Sequence, residues 1–265
     1  FANSGTIDIK NDFTPGSGSY DITGSTVNYS ATSGSHQLLN FTTSSPGYLY
    51  NNLSFSGAGT FNSSNGITYG IAGTLSNSAA FIIVGSASAS STWSIDGTTT
   101  LSGGTLQVCA SSSNNNGTVN FIGDVIISGG TLSRGSTLGT GVATVNFNGG
   151  STQTLTHSSG TISNQLQMGV SNNTTLNLGS NVTISGTSPV FSVSSGSTLD
   201  CGTNVLDGSA TSTFTLSSGA TLITANTAGI TSSGNATGSV QFNTRTFNTG
   251  ANYTFNGSSA QATGN

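Results

Sequence analysis

The stretch FSVSSGSTLDCG at residues 191–202 recurs as FTLSSGATLITA at residues 214–225. The same interval separates Leu176, Leu199 and Leu222. Apolar and polar residues alternate within these stretches, which is the pattern of a β-strand with one buried face. A repeat of about 23 residues with strand patterning predicts one coil of a parallel β-helix.

The predicted fold is therefore all-β: a parallel β-helix, or β-solenoid, with coils of about 23 residues. Each coil stacks its apolar side chains on those of the next, and strands of adjacent coils pair at about 4.8 Å. We expect Leu199 to be buried between Leu176 and Leu222. At this coil length the chain would contain about 11–12 coils.

Composition supports such a stacked β-structure. Charged residues make up 4 % of the chain, and it contains no Glu. Like charges directly opposite each other destabilise paired strands, whereas Ser, Thr and Asn can form outer ladders of like residues. Disordered chains combine low hydrophobicity with high net charge, but here hydrophobic residues make up 32 % and the net charge is −4.

The same composition argues against two classes of partner. Three cations are too few to neutralise a phosphate backbone, so no nucleic acid is expected. No stretch approaches the roughly 18 apolar residues of a transmembrane helix, so no membrane insertion of this segment is expected. No linker rich in Pro or charge interrupts the chain, and we predict that residues 1–265 form a single continuous solenoid segment, a mature or trimmed piece of a larger repetitive protein.

The repeat has a looser phase outside residues 176–225. The motif Gly-Thr-Leu occurs at residues 73–75, 104–106 and 130–132, and its two spacings differ from each other and from the regular interval. A longer period also relates three segments with a Thr/Asn-x-x-aromatic pattern, each followed by a Gln. Their aromatic residues are Tyr29, Phe147 and Phe255, and the Gln residues are Gln37, Gln153 and Gln261.

The segment TRTFNTGANYTFNGSSAQATGN at residues 244–265 resembles a recurrent segment of very large, repetitive secreted surface proteins of Bacteroidetes. NNLSFSGAGTF at residues 51–61 resembles another part of the same repeat, and SGGTL at residues 102–106 resembles autotransporter passengers. The resemblance implies an extracellular, cell-surface location, export by the type IX secretion machinery, and an adhesin-like role. It implies no catalytic residues.

Candidate chemistry is sparse, although β-helices commonly serve as polysaccharide lyases and hydrolases. Such enzymes need paired carboxylates or a calcium-binding acid cluster. The acids are Asp8, Asp12, Asp21, Asp96, Asp124, Asp200 and Asp207, with no Asp-x-Asp or Asp-Asp pair. We therefore interpret them as structural or solvated, and a calcium ion at residues 8–21 has no further support.

Histidines, cysteines and aromatic residues receive structural interpretations as well. His36 and His157 are too few and too distant for zinc, which takes three or four ligands. Alternation turns Cys201 toward the core and Cys109 outward, and four coils separate them, so we expect no disulfide between them. Packing is also the preferred role for Trp93 and for Tyr48 and Tyr50. We thus expect no catalytic residue, no cofactor and no metal site.

The leading functional hypothesis is a structural or adhesive stalk segment of a secreted bacterial cell-surface protein, without catalysis. A glycan-binding or glycan-degrading β-helix is the alternative. The expected partners of the segment are cell-surface glycans or other surfaces, besides the secretion machinery. An ice-binding solenoid ranks third, because the Thr-x-Thr pairs at residues 152–156, 211–215 and 244–246 do not recur at the interval of the coils. The oligomeric state is left open.

Overall fold

A computed structural model describes residues 4–14, 16, 20–40, 47–63, 66–85, 90–110, 114–135, 140–231 and 237–263. Regular secondary structure in this part of the chain consists of β-strands alone. Because the described residues form no helix, none of them belongs to a helix that could cross a membrane. The prediction of an all-β, parallel β-solenoid is confirmed.

The described residues contain 26 strands, named here in chain order. They are β1 (Thr6–Ile9), β2 (Thr26–Tyr29), β3 (Ser35–Gln37), β4 (Asn52–Phe55), β5 (Thr60–Asn62), β6 (Thr68–Ile71), β7 (Leu75–Asn77), β8 (Phe81–Gly85), β9 (Ser91–Ile95), β10 (Thr99–Leu101), β11 (Thr105–Cys109), β12 (Gly117–Phe121), β13 (Val125–Ser133), β14 (Ala143–Phe147), β15 (Thr152–Ser163), β16 (Leu166–Val170), β17 (Thr175–Leu178), β18 (Val182–Ser185), β19 (Val190–Val193), β20 (Thr198–Asp200), β21 (Leu206–Gly208), β22 (Thr213–Leu216), β23 (Thr221–Thr224), β24 (Val240–Gln241), β25 (Thr244–Phe247) and β26 (Asn252–Phe255).

The strands stack into three parallel ladders that run along the solenoid. Ladder 1 contains β1, β2, β4, β7, β10, β13, β15, β17, β20, β23 and β26. Ladder 2 contains β3, β5, β8, β11, β13, β15, β18, β21 and β24. Ladder 3 contains β6, β9, β12, β14, β16, β19, β22 and β25. From β4 to β25 each coil therefore passes through ladders 1, 2 and 3 in turn and encloses a three-sided core.

Coil length varies along the solenoid. Eight coils, about 24 residues apart, contribute strands to all three ladders. Ladder 1 alone stacks eleven strands, which is close to the expected 11–12 coils. The predicted interval holds where Thr152, Thr175, Thr198 and Thr221 pair in succession. Elsewhere the corners are longer: the chain between β23 and β24 comprises residues 225–239, which lengthens that coil.

The core is a set of side-chain stacks that follow the register. Leu176, Leu199 and Leu222 pair in ladder 1, and each is 0 % exposed, as the repeat predicts. Phe191 and Phe214 pair in ladder 3 with ring centroids 6.2 Å apart. Burial of such stacks is the main favourable contribution to a solenoid's stability, because each coil alone cannot cover its apolar face.

A left-handed turn joins ladder 3 to ladder 1 in the regular part of the solenoid. Gly150, Asn173, Gly196 and Gly219 occupy equivalent positions, with φ of 68°, 57°, 79° and 77°. Glycine adopts this region without a steric penalty, and Asn is among the few other residues that tolerate it. The glycines at fixed phase in the repeat therefore mark this corner.

The looser sequence repeats do not all mark stacked positions. Gly104-Thr105-Leu106 stacks under Gly130-Thr131-Leu132 in ladder 2, because Thr105 pairs with Thr131. Gly73-Thr74-Leu75 instead leads into β7 of ladder 1. The longer period is likewise out of phase with the coils, since Tyr29 and Phe255 lie in ladder 1 and Phe147 lies in ladder 3.

Two of the three Gln residues of the longer period nevertheless make the same contact. Gln153 Nε2 donates to the carbonyls of Phe121 and Gly123 at 2.9 and 2.7 Å, and its Oε1 accepts from Gly149 N at 3.1 Å. Gln153 is 1 % exposed. Its amide therefore binds the backbone of the preceding coil at a corner where regular ladder pairing stops.

Gln261 repeats this geometry at a corner that follows ladder 1. Its Nε2 donates to the carbonyls of Thr224 and Asn226 at 2.9 and 3.0 Å, and its Oε1 accepts from Gly257 N at 2.7 Å. Gln37 is exposed in β3 and belongs to a different setting. The Gln of this motif therefore binds backbone groups at corners on two different sides of the solenoid.

Replacing Gln153 with Met is expected to destabilise the solenoid by about 1–3 kcal/mol, because two buried carbonyls and one N–H lose their partner while the side-chain volume is nearly kept. Urea unfolding followed by circular dichroism measures the change. Gln37→Met is the matched control and should shift the midpoint little, because the Gln37 side chain is exposed. Equal midpoints for the two variants would show that the Gln153 contact contributes nothing.

The two cysteines are free, as expected, but one of them points the other way. Cys201 is buried, and so is Cys109, each at 0 % exposure, so the prediction that Cys109 faces outward is wrong. In β11 the residues Gln107, Val108 and Cys109 are all buried, so the strict alternation of buried and exposed side chains ends there. Cys109 Sγ donates to the carbonyl of Asn115 at 3.0 Å across the corner that follows β11. Cys109 and Cys201 lie in coils four steps apart, which agrees with the predicted separation.

Candidate functional site: outer ladders and a cavity beside Arg134

Polar side chains on the outer faces of the ladders hydrogen-bond from coil to coil. In ladder 3, Asn146 Nδ2 donates to Asn120 Oδ1 at 2.9 Å, and Asn120 Nδ2 donates to Ser94 Oγ at 3.3 Å. In ladder 1, Ser76 Oγ donates to Ser54 Oγ at 3.0 Å. These contacts confirm the expected outer ladders of uncharged polar residues.

Threonine pairs occur on the outer face of ladder 3, but they do not extend along it. Thr213 and Thr215 stack in register on Thr244 and Thr246. The six other described strands of ladder 3 carry Gly, Ser or Asn at the second of these positions. A two-column threonine array is therefore limited to one pair of coils on this face of the described solenoid.

Two carboxylates share an outer column of ladder 1 without coming together. Thr154 N donates to Asp124 Oδ1 at 2.8 Å, and the register continues from Thr154 through Asn177 to Asp200. Asp124 and Asp200 are thus three coil steps apart, or about 14 Å at the usual strand spacing. Paired carboxylates in glycoside hydrolases lie roughly 5–9.5 Å apart, which this geometry does not match.

The remaining acids have local partners or partly buried settings. Asp8 lies 3.8 Å from Lys10 Nζ, and the Asp21 carboxylate accepts from Thr23 N at 3.0 Å. Tyr48 Oη donates to Asp96, and this bond raises the pKa of the Tyr48 phenol. Partial burial raises the pKa of Asp207 in ladder 2.

The two histidines lie on different ladders and do not form a site together. His36 belongs to β3, and His157 lies in β15, five coil steps further along. Among the described residues, no group of three or more His, Cys, Asp or Glu side chains has a metal-binding arrangement. His36 instead contacts two acceptors: Nδ1 lies 3.0 Å from Asp12 Oδ1, and Nε2 lies 2.9 Å from the carbonyl of Ser33.

This environment predicts a pH-dependent contribution from His36. Both ring nitrogens face oxygen acceptors, so only the doubly protonated imidazolium can donate to both. The Ser33 carbonyl and then Asp12 raise the pKa of His36 in the folded state. Its contribution is therefore fully present below the unfolded pKa of about 6.5 and is lost as the pH rises through the higher folded value.

We expect the melting temperature of the wild type to fall slightly between pH 6 and pH 8, and this fall to be reduced in His36→Gln. Asp12→Asn should reduce it only in part, because the Ser33 carbonyl remains. Differential scanning calorimetry at matched ionic strength measures both effects. The same pH slope in His36→Gln and the wild type would contradict this assignment.

The singled-out aromatic residues mostly pack in the core. Trp93 and Tyr50 are 0 % exposed, and Trp93 Nε1 donates to Ser63 Oγ at 2.8 Å. Tyr50 Oη lies 3.0 Å from Tyr29 Oη, and burial raises the pKa of Tyr29 to about 12. The packing interpretation is confirmed for Trp93 and Tyr50, whereas Tyr48 is half-buried and bonded to Asp96.

A polar cavity of about 290 Å³ lies at the corner where ladder 2 passes into ladder 3, and the residue patterns did not predict it. It is lined by Arg134, Thr140, Gly141, Val142, Gln165, Gln167, Ser188 and Val190. These residues come from three successive coils, which follow β13, β15 and β18. The cavity therefore extends over about 10 Å along the solenoid axis.

A corner of two residues lies at the middle coil of this cavity. Nine residues join β13 to β14 and four join β18 to β19, but only two, Asn164 and Gln165, join β15 to β16 between them. Asn164 makes this short corner with a left-handed φ of 62°, and its Nδ2 donates to the carbonyl of Arg134 at 3.3 Å. The cavity spans this short corner and the described residues of the corners on either side of it.

The charge in the cavity comes from Arg134. It is the only Lys or Arg between residues 11 and 244, and it is 5 % exposed. Burial raises the pKa of the Cys109 thiol, and the neighbouring Arg134 guanidinium partly offsets this effect. Arg134 lines the cavity together with residues that carry amide and hydroxyl groups, and a guanidinium is a group suited to a planar anion.

Comparisons with known proteins returned no relative of this chain. No protein-family model matches it, and neither a curated protein nor a solved structure matches it.

Proposed function

We propose that this chain is a stiff structural and adhesive segment of a secreted bacterial cell-surface protein, with no catalytic step. The observation that carries the proposal is the continuous stacking of coils through three parallel ladders around one core. Bending such a body stretches backbone hydrogen bonds on one side and compresses side-chain stacks on the other. Close-packed interiors resist both changes.

The surface chemistry also suits a spacer. Coil-to-coil contacts between uncharged side chains, such as Asn146 with Asn120, do not depend on salt as exposed ion pairs do. The separation of Asp124 from Asp200 gives no support to a glycan-degrading role. Extracellular location and export by the type IX secretion machinery are parts of the proposal that rest on the resemblance of residues 51–61 and 244–265 to secreted surface repeats.

Distance measurements between the two ends of ladder 1 test the stiffness. Spin labels on Thr6→Cys and Thr254→Cys would occupy exposed positions in one outer column. The native thiols Cys109 and Cys201 are buried and should not be labelled. Ten coil steps predict a narrow distance distribution centred at about 48 Å.

A matched pair four coil steps apart in the same column, Thr154→Cys with Thr254→Cys, supplies a shorter reference distance of about 19 Å. Pulsed dipolar spectroscopy at low and high salt should give the same long distance for the end-to-end pair. A broad distribution, like that of a flexible linker, would overturn the proposal of a stiff segment.

A further inference from the structure

We propose that the cavity beside Arg134 binds the carboxylate-bearing sugar unit of an acidic polysaccharide. This inference rests on the adhesive part of the proposed function and names the ligand class of that role. The site is defined here as the Arg134 cavity, with Gln165, Gln167 and Ser188 as its other polar side chains.

The guanidinium supplies the selectivity for a carboxylate. Arg presents a planar fork of N–H donors that matches the two oxygens of a carboxylate, and such charge-assisted pairs are about twice as strong as neutral hydrogen bonds. Arg134 is 5 % exposed, so little water screens its charge within the cavity. Arg134 is the only Lys or Arg between residues 11 and 244, so a negatively charged ligand meets no other cation in that part of the chain.

The other lining groups suit the rest of a sugar. Gln165 and Gln167 have amides with both donors and acceptors, which can bind ring hydroxyls. Val142 and Val190 provide apolar surface for the C–H groups of the ring. Well-formed ligand pockets start at about 300 Å³, so a cavity of this size takes one sugar unit rather than a long oligosaccharide.

The position of the cavity fits an adhesive segment. It lies on the outside of a corner, beside the start of β14, β16 and β19, so a polymer can cross the solenoid while one of its units enters the cavity. A single weak site of this kind gains strength when several copies act together on one polymer. Weak binding by the isolated chain is therefore expected.

Titration of the chain with trigalacturonic acid tests the proposal, with the isotope-labelled side chains of Arg134, Gln165 and Gln167 followed by NMR. Shifts of these signals at millimolar ligand are expected. The fully methyl-esterified trisaccharide keeps the sugar shape but removes the charge, and it should bind at least about tenfold more weakly. Because this comparison uses the unaltered protein, it does not depend on how any variant folds.

Arg134→Met should weaken trigalacturonate binding by about tenfold or more, and Arg245→Met is the matched control, since it removes an equal charge at the far end of the solenoid. Gln167→Ala changes an exposed side chain and should weaken binding by a few-fold. It replaces Arg134→Met as the test if that variant does not fold.

A galactose sulfate that binds as tightly as the uronate would overturn the assignment to a carboxylate. Equal affinity for the acid and its ester, or no binding by the wild type, would overturn the site itself, whereas the end-to-end distances test the stiff segment separately.

Discussion

Replacing Leu199 with Ala is expected to destabilise the solenoid by about 2–5 kcal/mol, the range for large-to-small changes at fully buried positions. Leu199 is 0 % exposed and stacks between Leu176 and Leu222, which are equally buried. The coils above and below are held by ladder hydrogen bonds, so they cannot easily collapse into the space left by the isobutyl group. The loss should therefore include a cavity contribution as well as the lost burial of apolar surface.

Hydrogen exchange of the amides in β17, β20 and β23 measures this loss where it occurs, because repeat arrays can open segment by segment. Thr183→Ala is the control, since Thr183 is exposed on β18 of the neighbouring ladder. Surface substitutions of this kind change stability by about 0.5 kcal/mol or less. A change that small in Leu199→Ala would place its side chain outside the core.

The burial of Leu199 could be predicted because neighbouring coils there have the same length. With equal corners, one interval relates both the strands and the turns, so Leu199 aligns with Leu222 and Gly196 with Gly219 in sequence as in space. The fold class follows from this short region and from a composition that suits outer ladders. The remaining coils share the architecture but not the interval.

The side-chain directions and contacts at the corners of the coils could not be predicted from the alternation of apolar and polar residues. A side chain's direction follows from parity only while buried and exposed residues alternate. In β11 both Gln107 and Val108 are buried, and Cys109 is buried as well instead of facing outward. The recurrence of the Gln residues could be recognised in the sequence, since Gln153 and Gln261 follow related segments. Its role depends on backbone carbonyls of the preceding coil, which no pattern in a single strand specifies.

The Arg134 cavity could not be predicted for a related reason. Its lining comes from three coils, and the middle coil contributes a corner of two residues. Recognising it from sequence would require the ends of β13, β15 and β18 to be known beforehand. Composition gave the one signal: Arg134 is the only one of the three Lys and Arg residues that lies far from either end of the sequence.

Gly117→Ala is expected to destabilise the solenoid by about 3 kcal/mol or more, at or above the usual upper range for overpacked sites. An added Cβ at Gly117 would lie 1.4 Å from the carbonyl oxygen of Val108 and 2.5 Å from its carbonyl carbon. Both atoms belong to backbone, so a side-chain rotation cannot relieve the clash. The paired residues Ser91 and Ala143 carry a Cβ at the same place in ladder 3, which shows that the restriction belongs to this corner and not to the ladder.

The corner itself explains why this one coil needs glycine. β11 ends with buried Cys109, and the chain returns through Asn115, whose carbonyl accepts from the thiol, so that β12 begins directly against Val108. Gly169→Ala in β16 is the matched control, because the nearest atom to its added Cβ is the Ser192 hydroxyl at 3.0 Å, which can rotate away. In urea unfolding, Gly169→Ala should stay within about 1 kcal/mol of the wild type. Equal midpoints for Gly117→Ala and Gly169→Ala would mean that β12 does not lie against Val108.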